Sequence, residues 1–585
     1  MSHGSLKRRV AFALGLVVLA IVAWLWIKRG QDRRSLAAYE AQLIVQGEKL
    51  SLDEVVSPPA TADDPDYRQF QAAARRLQGR PIQPGGFNFL EFVAPGELRP
   101  LDVVTNLKFV DFAPGAYNPL DFRQVVTWTM WEAEVQAMRP HLDELRRALR
   151  SPAPRSDIDY RVPGARGPDF VLKREAAQWL AGEAMAALRA TNHTAASESL
   201  KALLALTELH REDPTLVNQM MQVAISGLAF EVTCVALQLP DWSESQLADL
   251  QAAWQRTRFF DRMVTSMEGE RAWFLAHSEQ ARTNGFGAVW SQIRPTGAPR
   301  PVNPETVFED FVLDPMYRHA WAEEDQLFFL RTYQGSLEAL RAARQHKSWP
   351  KLAGDLGRTF QPMETEARGL NRLRHRLSLM AVPNWKRATE MQFRAETQRS
   401  LCLTVLALHR YELQHAQLPA DLAALTPELL DTVPADLMDG QPLRYRVEVD
   451  GTWRLYSVGL DGKDDGGEAL PAQAWGRYTS IWDGSDAVWP QLGSAAAPGP
   501  VIPPSEVLPL IQFDNAPLRD AMITLARQIE LNLVFDPAIE AELKSRVNLR
   551  LENVSASDAL RTVLDSRKLA AKRHPTRNVV RVTRQ

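Results

Sequence analysis

Cysteine is nearly missing from this chain: Cys234 and Cys402 are the two present among 585 residues. That excludes a disulfide-dense fold and a four-cysteine zinc ribbon. Two buried thiols and one long-range bridge both remain open. A charge excess is missing too. Against 68 basic residues stand 71 acidic ones, a net −3, so global charge gives no reason to expect a nucleic-acid partner. There is no Gly-x-Ser-x-Gly, phosphate-binding loop, His-Glu-x-x-His or dinucleotide fingerprint. The chain is therefore expected not to be an enzyme. His409-x-x-Glu412-x-x-His415 comes nearest to a metal motif, but on a helix its histidines point about 120° apart, a poor clamp. Met267-Glu-Gly-Glu-Arg271 sets two carboxylates beside an arginine and reads as an ion pair on a helix surface.

Long apolar runs are scarce, and the exception is informative. Val10 to Ile27 is an uncharged run of 18 residues, about 27 Å as a helix and enough for a slightly thin bilayer. Lys7, Arg8 and Arg9 precede it; Lys28, Arg29, Arg33 and Arg34 follow. Trp24, Trp26 and Lys28 do not form a small-residue cleavage site, so the run is read as a retained signal anchor. It also lacks the acidic residue of a type IV prepilin leader. The flanking charges nearly balance, and the positive-inside rule leaves orientation undecided.

The composition, 45% hydrophobic and 24% charged, is that of a folded protein. Its 16 tryptophans supply large anchors for a core. The expected class is multidomain α+β. A tail (1–9) and anchor (10–27) lead to a mixed, partly irregular region (31–166). A helical block (167–400) follows, a bundle or solenoid-like stack, with Ala177, Leu180, Ala181 and Ala184 marking one helix face. Residues 401–490 form a β-hairpin and acidic-loop module. A Pro/Ala linker (491–504) leads to a C-terminal βαββαβ unit (505–585). Residues 401–500 hold 6 basic and 14 acidic residues, whereas 501–585 hold 13 basic and 10 acidic.

In the acidic module, Leu443–Val449 and Trp453–Val458 read as strands around the hairpin signal Asp450-Gly451. The second strand runs into Tyr456-Ser-Val-Gly-Leu-Asp-Gly-Lys-Asp-Asp-Gly-Gly467. This stretch resembles the C-terminal region of type II secretion major pseudopilins, whose loop binds calcium. Asp461, Asp464 and Asp465 match its acidic positions, and Ile481-Trp482-Asp483 loosely matches its end. Physically, closely spaced aspartates among glycines can supply the oxygens calcium needs, although the spacing is not that of an EF-hand. A solvated acidic turn is the alternative.

The last 81 residues carry the phrases Phe513-Asp-Asn-Ala-Pro-Leu-Arg-Asp520, Leu531-Asn-Leu-Val-Phe-Asp-Pro537, Val547-Asn-Leu-Arg-Leu-Glu-Asn-Val554 and Asp558-Ala-Leu560. They resemble the short N-terminal domain shared by secretins and TonB-dependent receptors. That resemblance implies a periplasmic protein-docking domain without catalysis, although here it is C-terminal and no secretin barrel follows. Arg550, Arg567, Lys568, Lys572, Arg573, Arg577 and Arg581 are the candidate partner-binding residues. An electrostatic face and a charge-guarded strand edge both fit them.

The whole reads as a single-pass bacterial inner-membrane protein, mostly periplasmic, that docks a secretin, pseudopilin or other envelope secretion protein. An envelope signal-transducing or cargo-binding receptor is the second reading. A periplasmic hydrolase in the helical block is the third.

Overall fold

The apolar run and the polar stretch behind it are one helix, α1 (His3–Val45). Gly30 has the poorest helix propensity between residues 28 and 45, and a lone glycine costs only about 1 kcal/mol. The structure, a computed structural model, describes residues 3–59, 64–78, 126–149, 169–287, 303–369, 371–381, 385–449, 451–467, 480–492, 507–528, 532–573 and 579–584. It also describes residue 289 and short pieces within 92–107 and 154–162.

The body is helical: α2 (Pro65–Leu77), α3 (Trp128–Ala148), α4 (Phe170–Arg189), α5 (His193–Thr207), α6 (Leu216–Ala236), α7 (Glu244–Arg256), α8 (Phe260–Asn284), α9 (Ala322–His346), α10 (Trp349–Glu366) and α11 (Trp385–His415). Local chemistry sets several starts. Asp169 accepts from Leu172 N at 3.0 Å, Asn192 from Ala195 N at 3.1 Å, and Thr215 from Asn218 N at 3.3 Å. Ser243 and Gln246 form a capping box. Helix α6 is long and apolar enough to cross a membrane, but it is largely buried in the body and serves as a core helix.

Tryptophans bind the layers together. Trp131 and Trp179 meet with ring centroids 4.9 Å apart. Their indole N–H groups donate to Gly182 O (2.9 Å) and Leu77 O (3.2 Å), so both are buried without an orphaned donor. Helix α8 approaches the α5–α6 turn at Gly269, where an added Cβ would lie 2.4 Å from the Pro214 carbonyl oxygen. Gly269→Ala is therefore expected to destabilise the body by about 1–3 kcal/mol, despite alanine's better helix propensity. A urea-unfolding midpoint at or above that of the wild type would contradict this close approach.

The expected boundary at residue 400 falls inside α11, which runs unbroken from Trp385 to His415. One buried core extends from Tyr67 to Trp489 and takes in both the helical block and the acidic module. The physical reason is that α11 is buried on most sides between residues 400 and 408. The acidic module supplies part of that cover. Trp489 stacks edge-on against Phe230, Gln251 donates to Leu429 O at 2.5 Å, and Trp349 N donates to Leu437 O at 2.9 Å. Strand β1 (Phe92–Ala94) pairs with β2 (Glu97–Leu98). After β3 (Arg444–Val447), β4 (Trp453–Ser457) and β5 (Ala487–Val488), strand β6 (Gln491–Leu492) returns to pair in parallel with β2. The body thereby closes on itself.

The C-terminal unit has a second core, from Leu518 to Val582. Strand β7 (Val507–Pro517) pairs antiparallel with β9 (Arg546–Ser555). Strand β8 (Asn532–Phe535) pairs in parallel with β11 (Val579–Arg584), which also pairs with β10 (Leu569–Arg573). Helices α12 (Leu518–Gln528) and α13 (Ala556–Ser566) contribute Ala521, Met522, Leu525, Leu560 and Val563 to the core. The order corrects the βαββαβ expectation by one strand. Leu569-Ala-Ala-Lys-Arg573 has no clear apolar alternation, and it is a strand because it borders β11.

Candidate functional site

The acidic turn is built around an arginine. Strand β3 begins at Arg444, whose guanidinium faces Asp436 (3.4 Å), Asp439 and Asp464 (3.3 Å). Asp436 is fully buried. It accepts hydrogen bonds from Ser457 Oγ (2.7 Å), Val458 N (2.8 Å) and Met438 N (2.9 Å). Burial pushes its carboxyl above the usual aspartate range, against those hydrogen bonds. Asp464 takes Tyr456 Oη at 3.1 Å and Gly466 N at 3.0 Å. Burial acts upward on it as well, but the Gly466, Tyr456 and Arg444 hydrogen bonds win and hold it low. Gly440, at φ +82, lets the turn touch the end of α9; a Cβ there would lie 2.3 Å from His346 O.

The three aspartates of the calcium expectation are not brought together. Asp461 turns to its own loop, accepting from Lys463 N at 3.0 Å, while Asp465 is exposed and Asp464 belongs to Arg444. Among the described residues no group of three His, Cys, Asp or Glu side chains is placed to hold a metal ion. Of the three, Asp464 has the Arg444 guanidinium as its positive partner, and Asp461 has Lys463. Asp486 escaped the sequence reading. It is buried and accepts from Gly467 N (2.6 Å) and Asp465 N (3.4 Å), which fixes the end of the loop. Its only sequence signal was proximity to the Trp482 end.

In the C-terminal unit Arg550 and Lys568 are exposed, and Arg567 donates to Arg546 O at 2.8 Å. The side chains of Lys572, Arg573 and Arg581 lie outside the described residues, as does Arg577. His409 and His415 do not converge: His409 sits edge-on to Trp453 and His415 stacks on Tyr411. Cys234 and Cys402 are both buried and unbridged.

Arg271 is not on a helix surface, which corrects the reading of Met267–Arg271. It is fully buried and donates to Glu48 Oε2 (2.9 Å), Gln334 Oε1 (2.8 Å) and Lys49 O (2.7 Å). Arg341 also binds Glu48, and binds Glu268 at 2.9 Å. The cluster holds the chain just after α1 against α8 and α9.

A further set of buried polar groups lies where α4, α6 and the α5–α6 turn meet. Lys173 is fully buried, donating to Leu209 O at 2.6 Å and Asn218 Oδ1 at 3.4 Å. His210 Nε2 lies 2.9 Å from Tyr67 Oη. Burial depresses Lys173 to about 7 and His210 to about 3, and raises Asp213 to about 6. For Lys173 the unfolded chain binds more protons between pH 7 and about 10.5, so stability rises with pH across that window. Lys173→Met is expected to remove that rise. An unchanged pH profile of the unfolding midpoint would refute the assignment.

Protein-family models, curated proteins and solved structures all give no match to the chain.

Proposed function

We propose that this protein is a membrane-anchored docking component of an envelope secretion or type IV pilus-like system. Residues 10–27 are held in the inner membrane, and the body and C-terminal unit stand on the periplasmic side. The observation that carries the reading is the form of the C-terminal unit. It has a core of its own and follows a proline- and alanine-rich stretch. Its β7–β9 sheet has two strands among the described residues, so each has one edge with no sheet partner. Such edges take up an extended segment of a partner by strand addition. The phrases that resemble the secretin short domain fall on this unit and supply the class of partner.

The test is photo-crosslinking in living cells from Arg550 and Lys568, both exposed, followed by mass spectrometry of the adducts. Adducts to a secretin or to pseudopilins are expected. Adducts restricted to a regulator or an outer-membrane receptor would replace docking by signal transduction. Adducts to cytoplasmic proteins would reverse the topology.

A further inference from the structure

Between α8 and α9 the chain forms a helical segment of mixed pitch: Pro304–Phe308, a π-helical turn Glu309–Leu313, Asp314–Met316 and a second π-turn Tyr317–Trp321. Its polarity is inverted. Glu309 turns to Arg376 (2.7 Å), Asp314 accepts from Phe286 N (2.8 Å), and Arg318 donates to the carbonyls of Arg282 and Thr283. Phe308, Phe311, Val312 and Met316, spaced three and four apart, face outward instead, with Phe311 78% and Phe308 52% exposed. A helix on a water-facing surface does the reverse, and a contiguous apolar patch marks a contact surface.

The position of the patch identifies what it contacts. Along α1 and α9, partners rise together in number: Lys28 with Glu324 (2.6 Å), Arg29 with Glu323 (3.3 Å), Tyr39 with Arg331 (5.7 Å to the ring centroid) and Glu40 with Gln326 (2.9 Å), and just past α1 Glu48 meets Gln334 (2.8 Å). The two helices therefore run in the same direction. Moving back from Glu323 leads toward the same end of the molecule as moving back from Lys28, which is the end carrying Val10–Ile27. Arg29 bonds Glu323 and reaches His319 at 3.5 Å, fixing the second π-turn beside α1 just past the end of the apolar run. At that level Trp24 and Trp26 are also exposed, as tryptophans at a headgroup boundary are.

We infer that residues 304–316 lie on the bilayer surface, with Phe308, Phe311, Val312 and Met316 sunk into the boundary between headgroups and acyl chains. The inference rests on reading residues 10–27 as a span. Together, α1 and this segment would fix the tilt of the body on the membrane at two places. Asp310, exposed beside the apolar residues, stays within reach of headgroup water.

The test uses the full chain in vesicles of phosphatidylethanolamine and phosphatidylglycerol. A nitroxide is placed at Phe311→Cys and, separately, at Leu16→Cys and Val217→Cys. Cys234 and Cys402 are buried, so the label goes to the introduced thiol. Relaxation by oxygen against relaxation by a water-soluble nickel complex gives depth. The expected depth at position 311 is about 5–10 Å below the phosphates, with position 16 deeper and position 217 in water. Position 16 in lipid with 311 in water overturns the surface-helix inference and leaves the span intact. Position 16 in water removes the span, and the inference with it. Position 311 shielded from both reagents means that protein covers the patch, which also overturns it.

Discussion

Replacing Glu48 with alanine is expected to destabilise the body by about 3–5 kcal/mol, the cost of leaving a buried charge without its partner. Arg271 is fully buried, and Glu48 is the carboxylate bonded to it. Glu48→Gln keeps an acceptor and should lose less. The wild-type carboxyl shows the same coupling. Burial acts upward, but Arg341, Gln334 and Arg271 hold Glu48 at about 2. Its folded value lies below its unfolded one, so its stabilisation is complete above about pH 4.5 and is lost as pH falls toward 2. The alanine variant should therefore show a shallower acid limb. Apart from Trp24 and Trp26 in α1, every tryptophan lies between residues 128 and 489, so the change in tryptophan emission in a urea titration reports the body and not the C-terminal unit. A loss below about 1 kcal/mol, the range of exposed ion pairs, would mean that the cluster does not hold α1.

Asp436→Ala should cost nearly as much. It strands Ser457 Oγ, Val458 N and Met438 N in a dry turn, and removes a carboxylate facing Arg444. Each orphaned buried donor is worth about 1–3 kcal/mol, and the effects do not add; a total of about 3–5 kcal/mol is expected. Asp436→Asn should recover part of the loss, because its carbonyl oxygen still accepts. A thermal midpoint unchanged in the alanine variant would show that Arg444, Asp439 and Asp464 hold the turn without it.

The helices were legible wherever the apolar spacing was regular and a cap stood at the start. The hairpin was legible from Asp450-Gly451, and β3 and β4 fall within the stretches read as strands. What could not be read depended on contacts distant in the chain. Arg271 looks like an exposed helix charge until Glu48, 223 residues away, is brought to it. Arg444 lies outside the stretch of aspartates, so the aspartates suggested a cation and gave no hint that the chain supplies its own. The edge at residue 400 was set by composition, whereas burial on both sides of α11 is a property of the packed core. Strand β10 exists because β11 lies beside it, and Leu569–Arg573 carries no pattern that announces this.

The pairing of β2 with β6 has a consequence for how the chain is made. Gln491 N donates to Gly96 O at 2.8 Å, and Trp489 packs on Phe230, so the last pieces of the first core are among the last of the body to be synthesised. During synthesis α4 to α10 emerge without the cover that residues 401–490 provide, and their apolar faces are open to chaperones and proteases. Completion comes as a late event that joins positions nearly 400 residues apart, a slow closure by the cost of long loops. The C-terminal unit follows with local pairings of its own. A nascent chain arrested before residue 480 should thus be degraded, whereas one arrested after the body has closed should carry a finished body without its C-terminal unit.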